Sequence, residues 1–233
     1  MKNLFLIAVM TGFVGAAHAT NVTGKVTFKG AVPKAAAIKM NADPVCVKEN
    51  AGKTVTAEDT LVGTGGGLAN VFVYVKDGVK GTVPPAPTEA VTFDQKGCHY
   101  TPHVFGIRVG QTLKIVNSDP TMHNVNAMAK VNSKFNQGMP TKGQVSEKKF
   151  TKPEVLVKFK CDVHGWMNGY AGVVENPYYG ISDTTGSFTL KDLPPGEYTV
   201  EAVHEKLGTK TAKVTVTPTG TAAPVDFAFG TGT

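Results

Sequence analysis

The chain has 233 residues, 24 Lys and Arg against 18 Asp and Glu, and a formal net charge of +6 at pH 7. That length holds one large or two small domains with a sizeable core. The positive excess reads as solvated lysine, because Arg108 is the sole arginine. No basic cluster is interleaved with aromatics, which argues against nucleic acid as a partner.

The first residues read as an export signal. Lys2 gives a positive start, residues 4–14 are mostly apolar, and Ala17-His-Ala19 is a small-x-small cleavage site. The apolar run is too short to span a bilayer, and no later run is long enough either. The expectation is a periplasmic or secreted protein with no membrane span, its mature chain starting at Thr20.

The rest has an all-β texture, with 26 Gly and 14 Pro separating short apolar runs. A strand is predicted at 71–75 and ends at Asp77-Gly78. Three prolines in 81–87 mark a loop or linker. Strands are predicted at 103–109, closed by Gly110, and at 112–116, closed by Asn117-Ser-Asp-Pro120. A short helix is predicted between Ala127 and Gly138. The strand at 155–160 runs directly into Cys161, and another follows at 170–174. Composition shifts again at Asn176-Pro177. Beyond it, Asp183-Thr-Thr-Gly186 is predicted to be a hairpin turn, and Leu193-Pro-Pro-Gly196 a second turn. Strands are predicted at 197–203 and 211–216, and the Gly/Thr ending after Phe229 is predicted to be disordered.

These elements give a signal over 1–19, an N-terminal β extension over 20–90, and a domain over 91–175. A β module over 176–229 and a tail over 230–233 complete the chain. The module, at roughly 55 residues, is marginal for an independent core and calls for strands from elsewhere.

The chemistry lies in Cys161-Asp-Val-His-Gly-Trp-Met167, a C-x2-H-x2-M pattern, with His123 upstream in Asp119-Pro-Thr-Met-His-Asn-Val. One thiolate, two imidazoles and a weak thioether are the ligand set of a blue copper electron-transfer site. Cys161 ends a strand, and His164 and Met167 come round at three-residue intervals, so one loop can aim all three side chains at a point. The thioether of Met167 favours copper over zinc, which prefers Cys and His. Asn124 is placed to steady the His123 loop or reach the thiolate, and Trp166 to shield the metal from water. Each residue alone has a blander reading: His164 as a loop residue, Met167 as core filler, C-x2-H as half a zinc site that has no second half. Their combination carries the copper reading.

Three cysteines in an oxidising compartment leave one unpaired. The economical arrangement joins Cys46 to Cys98 and frees Cys161 for a metal. The rival bridge, Cys98 to Cys161, would destroy the site. His99 and His103 could form an accessory metal site with Cys98, although structural roles for them are the simpler reading.

These residues resemble the cupredoxin family, in particular its amicyanin-like members with the same C-x2-H-x2-M loop. The segment Val109-Gly-Gln-Thr-Leu-Lys-Ile-Val-Asn-Ser-Asp119, followed by His123-Asn-Val125, is similar to the family's strand pair before its first histidine ligand. The resemblance covers roughly residues 91–175 and implies a Greek-key β-sandwich. It implies that His123, Cys161, His164 and Met167 hold one type 1 copper. It also implies one-electron traffic with a redox protein such as a cytochrome or a copper enzyme, and no catalysis. Residues 20–90 have no counterpart in a minimal cupredoxin. The tail from Asn176 resembles carboxypeptidase-regulatory, transthyretin-like modules, and Val22-Thr-Gly-Lys-Val-Thr-Phe28 looks like a first strand of that same module. The N-terminal segment could therefore complete the tail's sandwich, with the cupredoxin inserted between. The rival functions are a non-redox copper carrier or store, a structural or adhesive sandwich with a vestigial site, and a copper oxidase or reductase.

Overall fold

The computed structural model describes residues 18–230. The expected export signal lies outside these residues, except for His18 and Ala19, as do the last three residues of the expected tail. The described chain is almost entirely β. It begins with β1 (Thr20–Lys29), α1 (Pro44–Glu49) and β2 (Phe72–Asp77). Nine strands follow: β3 (Val91–Gln95), β4 (Tyr100–Thr101), β5 (Val104–Arg108), β6 (Thr112–Asn117), β7 (His123–Ala127), β8 (Phe135–Met139), β9 (Val145–Lys149), β10 (Glu154–Lys160) and β11 (Asn168–Val174). The last five are β12 (Tyr179–Ile181), β13 (Ser187–Leu193), β14 (Gly196–His204), β15 (Gly208–Val216) and β16 (Phe227–Gly230). Gly230, expected in a disordered tail, is the last residue of β16 and pairs with Lys29.

The strands form two sandwiches. In one, sheet β5-β11-β10-β7-β8 faces sheet β4-β3-β6-β9 across a core that includes Phe93, Phe105, Leu113, Ile115, Val125 and Phe159. β6 shows the cause in its sequence: Leu113 and Ile115 point inward, while Thr112 and Lys114 alternate to the other face. In the other sandwich, sheet β13-β1-β16 faces sheet β12-β2-β14-β15 around Val26, Val73, Leu190, Val200 and Phe229. Both ends of the chain build this second sandwich. β1 pairs antiparallel with β13 and parallel with β16, and β2 lies between β12 and β14.

Two local expectations are corrected. Residues 127–138 hold no helix: β7 ends there and β8 begins, with Ala127 opposite Phe135. The described helix is α1 instead. Asp43 caps it by accepting the Val45 N–H at 2.8 Å, and Pro44 opens its first turn. Six residues are too few to show a helical period. The turn at Asp183-Thr-Thr-Gly186 does not close a hairpin, because β12 and β13 belong to opposite sheets. Turn residues signal a reversal but not the sheet that the chain enters next.

β5 and β11 are buried along nearly their whole length. Their inner faces meet the first core, and their outer faces carry the second sandwich. Gly106 and Gly172 are side by side in the sheet. The ring of Tyr179 lies where a Cβ on Gly106 would stand, and the ring of Phe72 where one on Gly172 would stand. The two glycines thus make a flat seat on which aromatic rings of the second sandwich rest directly. Among the described residues, no helix is long and apolar enough to cross a membrane.

A buried ion pair ties the two sandwiches nearby. His103 donates from Nε2 to Glu205 and from Nδ1 to the Asn168 carbonyl at 3.1 Å. Burial alone would lower the His103 pKa, but Glu205, Glu58 and the Asn168 carbonyl outweigh it and raise it. For Glu205, burial pushes upward, and the hydrogen bonds from His103 and Tyr170 bring the net shift below normal. The raised histidine contributes stability below its unfolded value of 6.5 and loses it as pH rises through its folded value. The depressed carboxylate contributes above its unfolded value of 4.5 and loses it as pH falls through its folded value. The pair therefore acts fully between those two unfolded values. Glu205→Gln should cost ~3 kcal/mol within that window, the scale for breaking a buried pair. The deficit should shrink once the pH exceeds the raised His103 pKa. Denaturant titrations of both proteins at pH 5.5 and pH 9.5 measure the difference, and an equal deficit at both would contradict it.

Candidate metal centre

His123, Cys161 and His164 reach the same point from three directions. His123 is the first residue of β7, Cys161 follows the last residue of β10, and His164 sits in the turn before β11. The turn closes on itself through the Cys161 N–H to the Met167 carbonyl at 3.1 Å and the Met167 N–H to the His164 carbonyl at 2.9 Å. The Nδ1 atoms of His123 and His164 are 2.9 Å apart, and His164 Nδ1 is 3.9 Å from Cys161 Sγ. One ligand atom from each of the three residues lies within 4.8 Å of the others. All three residues are at most 2 % exposed. Met167 is buried in the same core as Cys161.

Two further clusters, Asp43–Cys46–His164 and Cys98–Asp119–His123, share these histidines. Their cysteines are bonded to each other, so neither has a thiolate to offer. Cys161 is the one free cysteine among the described residues, and the bridge joins Cys46 to Cys98, as the economical pairing anticipates. Cys98 is thereby removed from any accessory site with His99 and His103, and His103 is engaged by Glu205.

Each histidine has a carboxylate behind it. Asp119 accepts from His123 Nε2 at 2.9 Å, and Asp43 accepts from His164 Nε2 at 3.0 Å. Such partners fix the tautomer, leaving Nδ1 of each ring free to face an ion. Asp119 is itself held by the N–H groups of Gly97 and Cys98, both at 2.7 Å, and Asp43 by the Thr121 hydroxyl at 2.7 Å. Neither carboxylate was singled out from the sequence. Asp119 left a faint signal, four residues before His123 in a turn; Asp43 left none, being 121 residues from its imidazole.

Asn124 takes the Asp162 N–H on its side-chain oxygen at 2.7 Å, and that oxygen lies 3.3 Å from Cys161 Sγ. Its amide donates to Asn136 and Asp162 at 2.6 and 2.9 Å. Asn124 thus joins the ends of β7, β8 and β10. Trp166 sets its ring 5.0 Å from that of His164, tilted by 45°, and donates its N–H to the Cys98 carbonyl at 3.0 Å.

Burial would raise the Cys161 pKa, but hydrogen bonding to His123 and to the backbone of the turn overcomes it, and the thiol is net more acidic. Burial would lower the His123 pKa; Asp119 and Cys161 raise it to about 9. His164 is lowered by burial and by the nearby His123, against the pull of Asp43. The centre therefore brings one acidified thiol and two imidazole nitrogens aimed at each other to a single point. A soft cation would satisfy all three, and the donor set fits copper.

No protein-family model matches the chain, and no curated protein matches it in sequence. Among solved structures it is similar to a copper-containing nitrite reductase from Thermus scotoductus, at 26 % identity and TM-score 0.35, over 44 % of this chain and 25 % of that one. It is also similar to a reduced amicyanin variant, at 25 % identity and TM-score 0.34, over 36 % of this chain and 82 % of that one. A purple cupredoxin from Nitrosopumilus maritimus matches at 28 % identity and TM-score 0.29, over 33 % of this chain and 82 % of that one. The chain thus spans only a quarter of the nitrite reductase.

Proposed function

We propose that this chain is an exported type 1 copper protein that carries one electron at a time between redox proteins. The observation that carries the reading is the buried convergence of His123, Cys161 and His164, with a carboxylate behind each ring. Bound copper would supply reversible one-electron oxidation and reduction. His123, Cys161 and His164 would hold it, with Met167 as a weaker fourth ligand. Asp119 and Asp43 hold the rings in orientation, so little in the chain has to move when the charge changes. Trp166 and the surrounding core exclude water. Burial also protects the thiolate from oxidation. The Cys46–Cys98 bridge suits an oxidising compartment, in keeping with export. The partner fitting this role is a redox protein such as a cytochrome or a copper enzyme.

Metal analysis of protein purified from its source, with an absorption spectrum, tests the reading. One copper per chain, a strong visible thiolate-to-copper band and fast reversible reduction are expected. Zinc in the site would overturn the reading. Slow redox with ready copper transfer would turn it toward a carrier or store. Met167→Leu separates the fourth ligand from the other three. The variant should keep copper and colour while its reduction potential shifts, measured by spectroelectrochemistry. Loss of copper would give Met167 a larger share than that of a weak ligand.

A further inference from the structure

The outer edge of His164 is closed by a remote part of the chain. Residues 36–57 form a loop whose two ends are laced together: Ala37 bridges Thr56, Ile38 N–H bonds the Val55 carbonyl at 2.9 Å, and Ala57 N–H bonds the Ala36 carbonyl at 3.0 Å. Between those ends lies α1, with Asp43 at its cap and Cys46 within it. A segment closed at the neck in this way can open as one cooperative unit. This one is pressed onto the metal centre at four points. Asp43 bonds His164 and Thr121, and Cys46 is covalently joined to Cys98. Asn50 donates to the Gly97 carbonyl at 3.0 Å, and Met40 is buried in the first core. Cys46 Sγ lies 3.7 Å from His164 Nε2. The anchors converge, because Gly97 and Cys98 also hold Asp119 and through it His123. The loop and the bridge therefore brace both histidines at once.

We propose that residues 36–57 are a fixed cover of the copper site, in which Asp43 is the positioning residue for His164 and the Cys46–Cys98 bridge is the pin. Access of an ion or small reagent to Cys161 is then set by how often this cover opens, not by unfolding of the sandwich. The proposal rests on the copper reading for its ligand, but the cover is testable without metal. On metal-free protein the probe is iodoacetamide, and the alkylation rate of Cys161 is followed by mass spectrometry at the alkaline plateau, where thiolate content is equal. Asp43→Ala should raise the rate roughly tenfold or more, the scale of losing a hydrogen bond to a charged group. Asp43→Asn, which still caps α1 and offers His164 an acceptor, should hold most of the protection. Cys46→Ser with Cys98→Ser should raise the rate further. Phe72→Ala, which weakens the contact between the sandwiches at Gly172, should leave it unchanged.

If the double variant does not fold, the Asp43 pair decides alone. Equal rates in wild type and Asp43→Ala overturn the cover, and so does a rise that merely follows the global stability measured in denaturant. A second arm adds Cu(II) and times the growth of the visible band, which should follow the same order of variants. Bands appearing equally fast in all of them also overturn the cover. No band in any variant, with alkylation still gated, overturns the copper reading and leaves the cover standing over a thiol.

Discussion

Cys161→Ser is expected to abolish the visible band and to weaken copper binding by more than ~100-fold. Outer partners of a metal ligand alone are worth 10–100-fold in affinity, and Cys161 is the one donor with soft, anionic character. A serine hydroxyl does not ionise near neutral pH and is a hard donor, so it offers neither the charge nor the softness that a copper site uses. The substitution should leave the fold intact. Cys161 Sγ accepts the His164 N–H at 3.3 Å, a bond that a hydroxyl oxygen can also accept. The Asn124 bond to Asp162 N–H that joins β7 to the turn does not involve the sulfur. Thermal melts of the metal-free proteins separate the two effects: similar melting with lost colour is the expected pair. An unchanged band in Cys161→Ser would remove the residue from the site. Spectra of Asp119→Asn would show whether the outer partners act as argued, because that variant should bind less tightly while retaining colour.

The candidate centre was legible in the sequence to the extent that it is local. Cys161, His164 and Met167 lie on one turn closed by its own backbone bonds, so their spacing carries their geometry. His123 could be paired with them only through the strand pattern before it. The carboxylates behind the rings were not legible. Asp43 reaches His164 through a helix of six residues, and nothing in a local window ties the two together. The same limit explains the errors in the fold. Residues 127–138, with two Asn and two Lys among twelve, lack a strong period, and β8 sits at a sheet edge where few positions must be apolar. The turn at Asp183-Thr-Thr-Gly186 was readable as a reversal, yet the identity of the receiving sheet depends on β1, far away in the chain. Alternating strands such as β6 were readable because one face is buried. β5 and β11 alternate less clearly because both their faces are covered.

That double covering makes Phe72→Ala the second large expectation: a loss of ~3–5 kcal/mol, the usual range for emptying a fully buried aromatic site. Phe72 belongs to β2 of the second sandwich but rests on Gly172 of the first, beside Tyr74 and Tyr179. Its ring has no Cβ beneath it and a tyrosine on either side, so the backbone cannot close the gap it would leave. The effect should go beyond the midpoint. Trp166 is the only tryptophan and lies beside His164 in the first sandwich. Its fluorescence therefore weights the first sandwich and the cleft it shares with Glu205 and Lys206, while far-UV circular dichroism reports both sandwiches throughout. In the wild type the two signals should change together, as expected for a cooperative unit. In Phe72→Ala they should separate, because the surface that couples the sandwiches is the one weakened. Gly172→Ala tests the same contact from the other side: a methyl group there collides with the ring, and overpacking of this kind costs ~1–3 kcal/mol. Coincident transitions in both variants, with a loss below ~1 kcal/mol, would mean that the sandwiches are coupled mainly through the His103–Glu205 pair and the chain connections, and that the glycine seat is only a consequence of close approach.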